Sequence, residues 1–230
     1  MSLQLHGSVM VGELTLGLDL EIEPNERVAL VGTNGAGKTS ILHLLAGLVA
    51  LDEGELAVDG VVWDRPADHR WVAPADRHLG VVFQDLRLFD HLDVIANVAF
   101  GPRSRGVGHA AADEAARAWL ARVGLADRAT DHPADLSGGQ RQRTALARAL
   151  ATDPTLMLLD EPFAAADVAI RPDLRAMVAQ AGARYLVLAT HEPDDLAELS
   201  DQVLVVDDGA AVRDDATAPA TPFLRGLLSG

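Results

Sequence analysis

The chain has no cysteine in its 230 residues, which excludes a disulfide framework and leaves the redox compartment unspecified. Positive charge is also scarce: 19 Lys and Arg stand against 34 Asp and Glu, a formal net charge of -15. Such an acidic surface disfavours nonspecific binding to nucleic acid or anionic lipid, so any polyanion must be held by a local site. Long apolar runs are missing as well. None approaches the roughly 18 residues of a membrane-spanning helix, and residues 1–20 lack the cationic start of a signal peptide. A soluble, cytoplasmic chain is expected. What remains is a globular composition, 49% hydrophobic and 23% charged, on a length that fits one domain, or one domain with a subdomain, around a substantial core.

Residues 3–31 alternate or run apolar in short pieces punctuated by Gly7, Gly12, Gly17 and Pro24-Asn25, which predicts several short strands with turns. A helix over 38–48, a hairpin over 54–62 and a strand over 79–83 follow. From Asp85 to Thr152 strand signals fade and an alanine-rich helical pattern takes over, with a surface helix expected around 110–121. Strands return at 156–159, 185–189 and 202–206, with a helix between the first two. This alternation predicts an α/β fold with a mainly parallel sheet flanked by helices, interrupted by a helical insertion.

Two motifs carry phosphate chemistry. "GTNGAGKTS" (residues 32–40) fits G-x-x-x-x-G-K-[ST] and lies between the strand pattern "RVALV" and a helix, the context this motif requires. Its glycines let backbone N–H groups and the helix N-terminus face a phosphate chain, Lys38 adds a point charge, and the Thr39 hydroxyl can ligate Mg2+. A kinase, a GTPase or a transport ATPase would share it. "PTLMLLDEPF" (154–163) reads as a buried strand delivering Asp160 and Glu161 to the edge where open parallel sheets bind ligands. Asp160 suits a Mg2+-holding role and Glu161 the activation of water.

A third stretch, "DLSGGQRQRTALARAL" (135–150), places two glycines where a helix would favour almost any other residue. With Ser137 as N-cap it also reads as an ordinary amphipathic helix ending at Asp153-Pro154. Arg141 and Arg143 fit either an interface or a solvated face. The histidines at 43, 69, 78, 91, 109 and 132 show no metal-ligand spacing and read as surface or packing residues.

Together these stretches resemble the ATP-binding cassette ATPases of membrane transporters, over nearly the whole chain. "VVFQD" supplies Gln84 at the Q-loop position, "LSGGQRQR" matches the family signature, "AAADVAIR" aligns Asp167 and Arg171 with the D-loop, and "LATHEPDDL" places His191 as the switch histidine. The resemblance implies a P-loop NTPase core with an N-terminal antiparallel β subdomain and an inserted α-helical subdomain. The core would span approximately 1–86 and 154–230 of a single domain, with the signature subdomain over 87–153.

The resemblance further implies ATP and Mg2+ as cofactors. Gly32, Thr33, Asn34, Gly35, Ala36, Gly37, Lys38, Thr39 and Ser40 would bind the nucleotide, with Thr39, Gln84 and Asp160 around the metal. In this family two cassettes face each other head to tail, so Ser137, Gly138, Gly139 and Gln140 would contact the γ-phosphate held by the other copy. Glu161 and His191 would position the attacking water, and Asp167 would communicate across the dimer. The implied partners are a second cassette, transmembrane permease subunits and, indirectly, a substrate-binding protein, with no nucleic acid. The implied location is the inner face of the cell membrane.

"LGVVFQDLRLFDHLDVIANVAFG" looks most like importer ATPases for molybdate, with sulfate, iron, polyamine and thiamine systems open. A non-transport cassette, or an interaction module whose output is dimerisation, are the alternatives. Residues 1–30 hold no Phe, Tyr or Trp to stack on adenine, which leaves the neighbourhood of Val9, or His6, for that position. "AAAD" replaces the usual Ser-Ala-Leu-Asp, and no C-terminal regulatory domain is expected after "VLVVDDGAAV".

Overall fold

The computed structural model describes residues 1–207 and 209–213. They form two compact units: one of Met1–His78, Leu158–Asp160 and the described residues from Arg184 onward, the other of Leu79–Met157 and Glu161–Ala183.

In the first unit β1 (Leu3–Val11) and β2 (Leu14–Ile22) make an antiparallel hairpin, and β4 (Glu53–Val58) joins the other edge of β1. Leu3, Leu5 and Val9 on β1 and Leu16, Leu18, Leu20 and Ile22 on β2 are buried while their sequence neighbours face outward, the period-two pattern of a half-buried sheet. Gly7 does not end a strand as expected. It lies within β1 opposite Gly54 of β4, where a Cβ would run into the Glu53 carbonyl. The hairpin continues through β5 (Val61–Arg65) to β6 (Arg70–Trp71).

The nucleotide-core strands differ in pattern because they are buried on both faces. β3 (Arg27–Val31) pairs in parallel with β9 (Tyr185–Ala189) and β10 (Gln202–Asp207), and β9 neighbours β8 (Leu156–Asp160). β11 (Ala210–Arg213) returns antiparallel to β10. The α/β expectation holds, as does the split between a parallel core and an antiparallel β region. Helix α1 (Lys38–Ala46) ends two residues sooner than expected, because Gly47 adopts a left-handed conformation and its N–H bonds the Leu44 carbonyl, a common helix stop.

The second unit holds β7 (Leu79–Val82) and helices α2 (Val94–Ser104), α3 (His109–Arg122), α4 (Gly138–Leu150) and α5 (Arg171–Ala179). The alanine-rich stretch is α3, and it is not plainly a surface helix. Ala112, Ala116 and Leu120, spaced by four, are fully buried in a bundle with α2 and α4, and small side chains there permit close packing. Asn97 is buried with its amide satisfied, since its Oδ1 accepts from the Phe89 N–H and its Nδ2 donates to the carbonyls of Phe89, Leu92 and Asp93. Among the described residues no helix is long and apolar enough to cross a membrane.

One side chain fixes the placement of α1. Arg77, fully buried, donates from Nη1 to the Leu44 and Leu45 carbonyls at 2.9 and 3.1 Å and from Nε to the Val72 carbonyl at 2.8 Å. It thus caps the negative end of the helix whose other end carries the phosphate loop. Burial lowers its pKa to about 10, opposed by the charge of Asp64. Asp64 is also buried and accepts from the Leu51 N–H at 2.9 Å, and burial pushes its carboxyl up despite that bond and the nearby cation. Replacing Arg77 by Met would keep the stem, uncap α1 and leave Asp64 without its counter-charge. We expect Arg77→Met to lose about 3 kcal/mol of stability in urea unfolding. A loss of under about 1 kcal/mol would show that the cap and pair are dispensable.

Candidate functional site

The first unit brings the phosphate loop, Asp160 and His191 to the carboxyl ends of β3, β8 and β9, which are neighbours in the sheet. Gly32 follows β3 where a Cβ would strike the Val206 carbonyl, and Gly37, at φ 112°, is the N-cap of α1, packed under the δ-carbons of Leu16 and Leu14. Thr33, Asn34 and Gly35 are exposed at the crest of the loop, Ala36 is buried and Ser40 half-buried. Lys38 Nζ donates to the carbonyls of Gly32 and Thr33 at 2.7 and 3.0 Å, so its charge is held over the loop it belongs to.

Thr39 Oγ1 donates to Asp160 Oδ2 at 2.8 Å, and Asp160 is buried to 6% exposure. A hydroxyl and a carboxylate, both hard oxygen donors, therefore converge beside the phosphate loop. This donor set fits Mg2+, which binds through one or two protein oxygens plus phosphates and water rather than an all-protein cage.

His191 is exposed, and the turn that presents it is fixed from below. Buried Thr190 donates from Oγ1 to buried Asp195 at 2.8 Å and accepts from the Glu192 N–H at 3.1 Å. Asp195, in the first turn of α6 (Pro193–Leu199), thus holds the switch loop. Sequence reading passed over it because nothing in "HEPDDL" marks one acid of the pair as buried.

In the second unit Ser137 caps α4: its hydroxyl accepts from the Gln140 N–H at 3.2 Å and the Gln140 side chain accepts from the Ser137 N–H at 2.8 Å, a capping box. The two glycines then separate. A Cβ on Gly139 would meet the Ala165 carbonyl at 3.0 Å, so the helix start lies against the "AAAD" segment. A Cβ on Gly138 would touch nothing closer than the Ala165 methyl at 3.9 Å. Among the described residues no packing demands a glycine at 138.

Glu161 is half-buried and adopts φ 47°, a left-handed conformation that costs a non-glycine residue about 1–2 kcal/mol. Its carbonyl accepts from Gln142 Nε2 at 3.1 Å and from the Ala164 N–H at 3.3 Å. Asp167 is exposed at the N-cap of a short 3-10 turn, and Arg171 donates back to the carbonyls of Ala166 and Ala164 at 3.2 and 3.4 Å. Gln84 is exposed after β7. The loop following it is clamped by Arg148 of α4, which donates to the Leu86 and Arg87 carbonyls at 2.7 and 2.6 Å and lies over the Phe89 ring. Burial lowers the Arg148 pKa to about 10. Arg143 is neither interface nor solvated face, since it donates to the Val123 carbonyl at 2.9 Å just beyond the end of α3. Arg141 folds back to the Leu136 carbonyl.

Val9 is buried opposite Leu16, and His6 Nδ1 is bonded to Asp19 at 2.6 Å. Leu14 and Leu16 are the hairpin side chains against the phosphate loop.

The model of the family described as ABC transporter matches residues 16–164. The chain belongs to that family. The cassette is 42% identical over 228 residues to the molybdenum import ATP-binding protein ModC of Mycobacterium tuberculosis, covering 93% of this chain and 61% of that protein. It is 40% identical to the sulfate/thiosulfate import ATP-binding protein CysA of Methylococcus capsulatus, covering 90% and 62%. It is 42% identical to the aliphatic sulfonates import ATP-binding protein SsuB of Cupriavidus necator, covering 93% and 68%. The cassette therefore spans about three fifths of the length of the first two relatives. Among solved structures, the dimeric post-hydrolysis state of the ATP-binding cassette MJ0796 bound to ADP and Pi superposes with a TM-score of 0.77 at 26% identity, covering 92% of this chain and 96% of that one.

The contrast between the two signature glycines gives a direct test. Gly138→Ala should leave thermal stability unchanged or slightly raised, because alanine is the better helix residue by roughly 0.5–1 kcal/mol. Gly139→Ala, pressed on the Ala165 carbonyl, should lower it. Equal losses for both would show that Gly138 has a packing role after all.

Proposed function

We propose that this chain is the ATP-hydrolysing subunit of an importer for a small oxyanion, acting as a pair of cassettes beneath a membrane permease. The meeting of Thr39 and Asp160 at the phosphate loop carries the reading. Segments 121 residues apart in sequence supply the two oxygens that a metal-bound nucleotide requires.

The amides of Gly32, Thr33, Asn34, Gly35, Ala36 and Gly37 line the loop around the phosphates, with Lys38 as point charge and Ser40 in the first turn of the helix. Thr39 and Asp160 would hold Mg2+, with Gln84 a ligand by the family's pattern alone, and the metal would neutralise phosphate charge. Glu161 accepts the proton of the attacking water, which His191 helps to position. Ser137, Gly138, Gly139 and Gln140 of a second copy close on the same phosphate through helix-terminal N–H groups. The open space at Gly138 supports this, because a phosphate oxygen can approach the backbone there without meeting a side chain. Asp167, exposed at the turn after Glu161, faces the second copy.

Closing and opening of the pair follow from the difference in affinity of ATP and ADP for the closed form. A cleft of about 420 Å3 lined by Asp85, Arg87, Asp90, Pro133 and Arg141 lies beside Gln84 and serves as the permease contact. This places the chain peripherally on the cytoplasmic face of the membrane. The relatives named for molybdenum, sulfate and sulfonates support an oxyanion cargo, with molybdate first. Cargo choice rests with a binding protein and the permease.

Three measurements test the reading. Glu161→Gln should bind ATP with wild-type affinity and dimerise with it while hydrolysing at least about 100-fold more slowly. Normal turnover would remove Glu161 as the base. For the base-binding face, the half-buried Leu14 offers only aliphatic contact, so competition binding should show ATP and GTP within about tenfold of each other, and Leu14→Tyr should tighten ATP by about tenfold. Strong ATP preference in the wild type would point to a base contact elsewhere. Copurification from membranes identifies the permease, and its absence from an active ATPase would sink the transport assignment.

A further inference from the structure

The signature helix makes a second contact that the reaction scheme above leaves unused. Gln142 lies five residues beyond the Ser137 cap on α4 and is 3% exposed. Its Nε2 donates to the Glu161 carbonyl at 3.1 Å, while its Oε1 is buried with no hydrogen-bond partner. A buried amide that leaves one end unpaired is costly in a core, where an aliphatic side chain would fill the same space. The bond it makes is therefore the reason to look for a role. Glu161 is the first residue after β8 and holds a left-handed φ of 47°. A backbone in that region persists only where its surroundings over-determine it, and the Gln142 bond is one of the constraints on it.

We propose that Gln142 is a positioning residue for hydrolysis, fixing the main chain of Glu161 to the helix that begins at the signature. The inference rests on the reading of Glu161 as the base. It adds a mechanical link: Ser137 caps α4, Gly139 abuts Ala165, and Gln142 holds Glu161, so one rigid helix joins the segment that meets the other copy's nucleotide to the base serving this copy's own. A displacement of about 1 Å at a reacting group suffices to lower a rate about 100-fold, and the Gln142 bond, at 3.1 Å, is shorter than the 3.3 Å turn bond to the same carbonyl.

The test is steady-state Mg-ATP hydrolysis by the full chain, with ATP binding and thermal unfolding measured alongside. Gln142→Met keeps the shape and loses the donor. It should lower kcat by about tenfold to a hundredfold with KM and ATP affinity within about twofold of wild type. Gln142→His, which retains an N–H donor at similar reach, should recover part of the loss. A wild-type kcat in Gln142→Met overturns the proposal, and so does a loss that appears in KM alone. If Gln142→Met loses cooperative unfolding, Gln142→Leu, smaller and also without a donor, replaces it. Glu161→Gln runs beside them. Normal turnover there removes the base assignment and this inference with it, whereas slow turnover there with normal turnover in Gln142→Met overturns the positioning role alone.

Discussion

A buried guanidinium sets the position of the phosphate loop. Arg77 caps the C-terminal end of α1, and Gly37 at the other end is packed under Leu14 and Leu16. Helix α1 is therefore gripped at both ends by the antiparallel β region, and Lys38 and Thr39 in its first turn inherit that placement. The cost is a cation and a carboxylate in the interior, visible as an Arg77 pKa lowered to about 10 and an Asp64 carboxyl pushed up. Such a pair is a weak source of net stability but a strong penalty when half removed, which suits a device that specifies one geometry.

The second unit uses α4 in a comparable way. Its N-terminus is closed by the Ser137–Gln140 capping box, its middle reaches the Glu161 carbonyl through Gln142, and its last turns hold the loop after Gln84 through Arg148. The segments around Ser137, Glu161 and Gln84 are thus attached to one helix, and a rigid element of this kind passes on a local displacement without absorbing it.

Much of this was legible in the chain. The apolar runs of β3, β8 and β9, the phosphate loop and the acid pair after β8 carry strong local patterns, and the predicted strand boundaries there held to within a residue or two. The misreadings share a cause. Gly7 read as a turn because its reason for being glycine is the backbone of β4, 47 residues away at Gly54. The stretch around Ala112 and Ala116 read as surface because small side chains in a tight helix contact look like any alanine-rich helix. Which hairpin residues face inward, Val9 among them, is set by the register of β1 on β2 and carries no mark in the local sequence.

The sequence by itself carried the local motifs: the phosphate loop, the Thr39 hydroxyl, the Asp160 and Glu161 acids and the signature, each a short stretch recognisable from residue type and spacing. Tertiary structure decided what supports them. Arg77, Asp195, Gln142 and Arg148 act through hydrogen bonds to backbone or buried groups outside their own elements, and a polar side chain carries no local mark of the partner it will find. Burial separates Asp195 from its neighbour Asp194 and Gln142 from Gln140, and burial is a property of the folded chain.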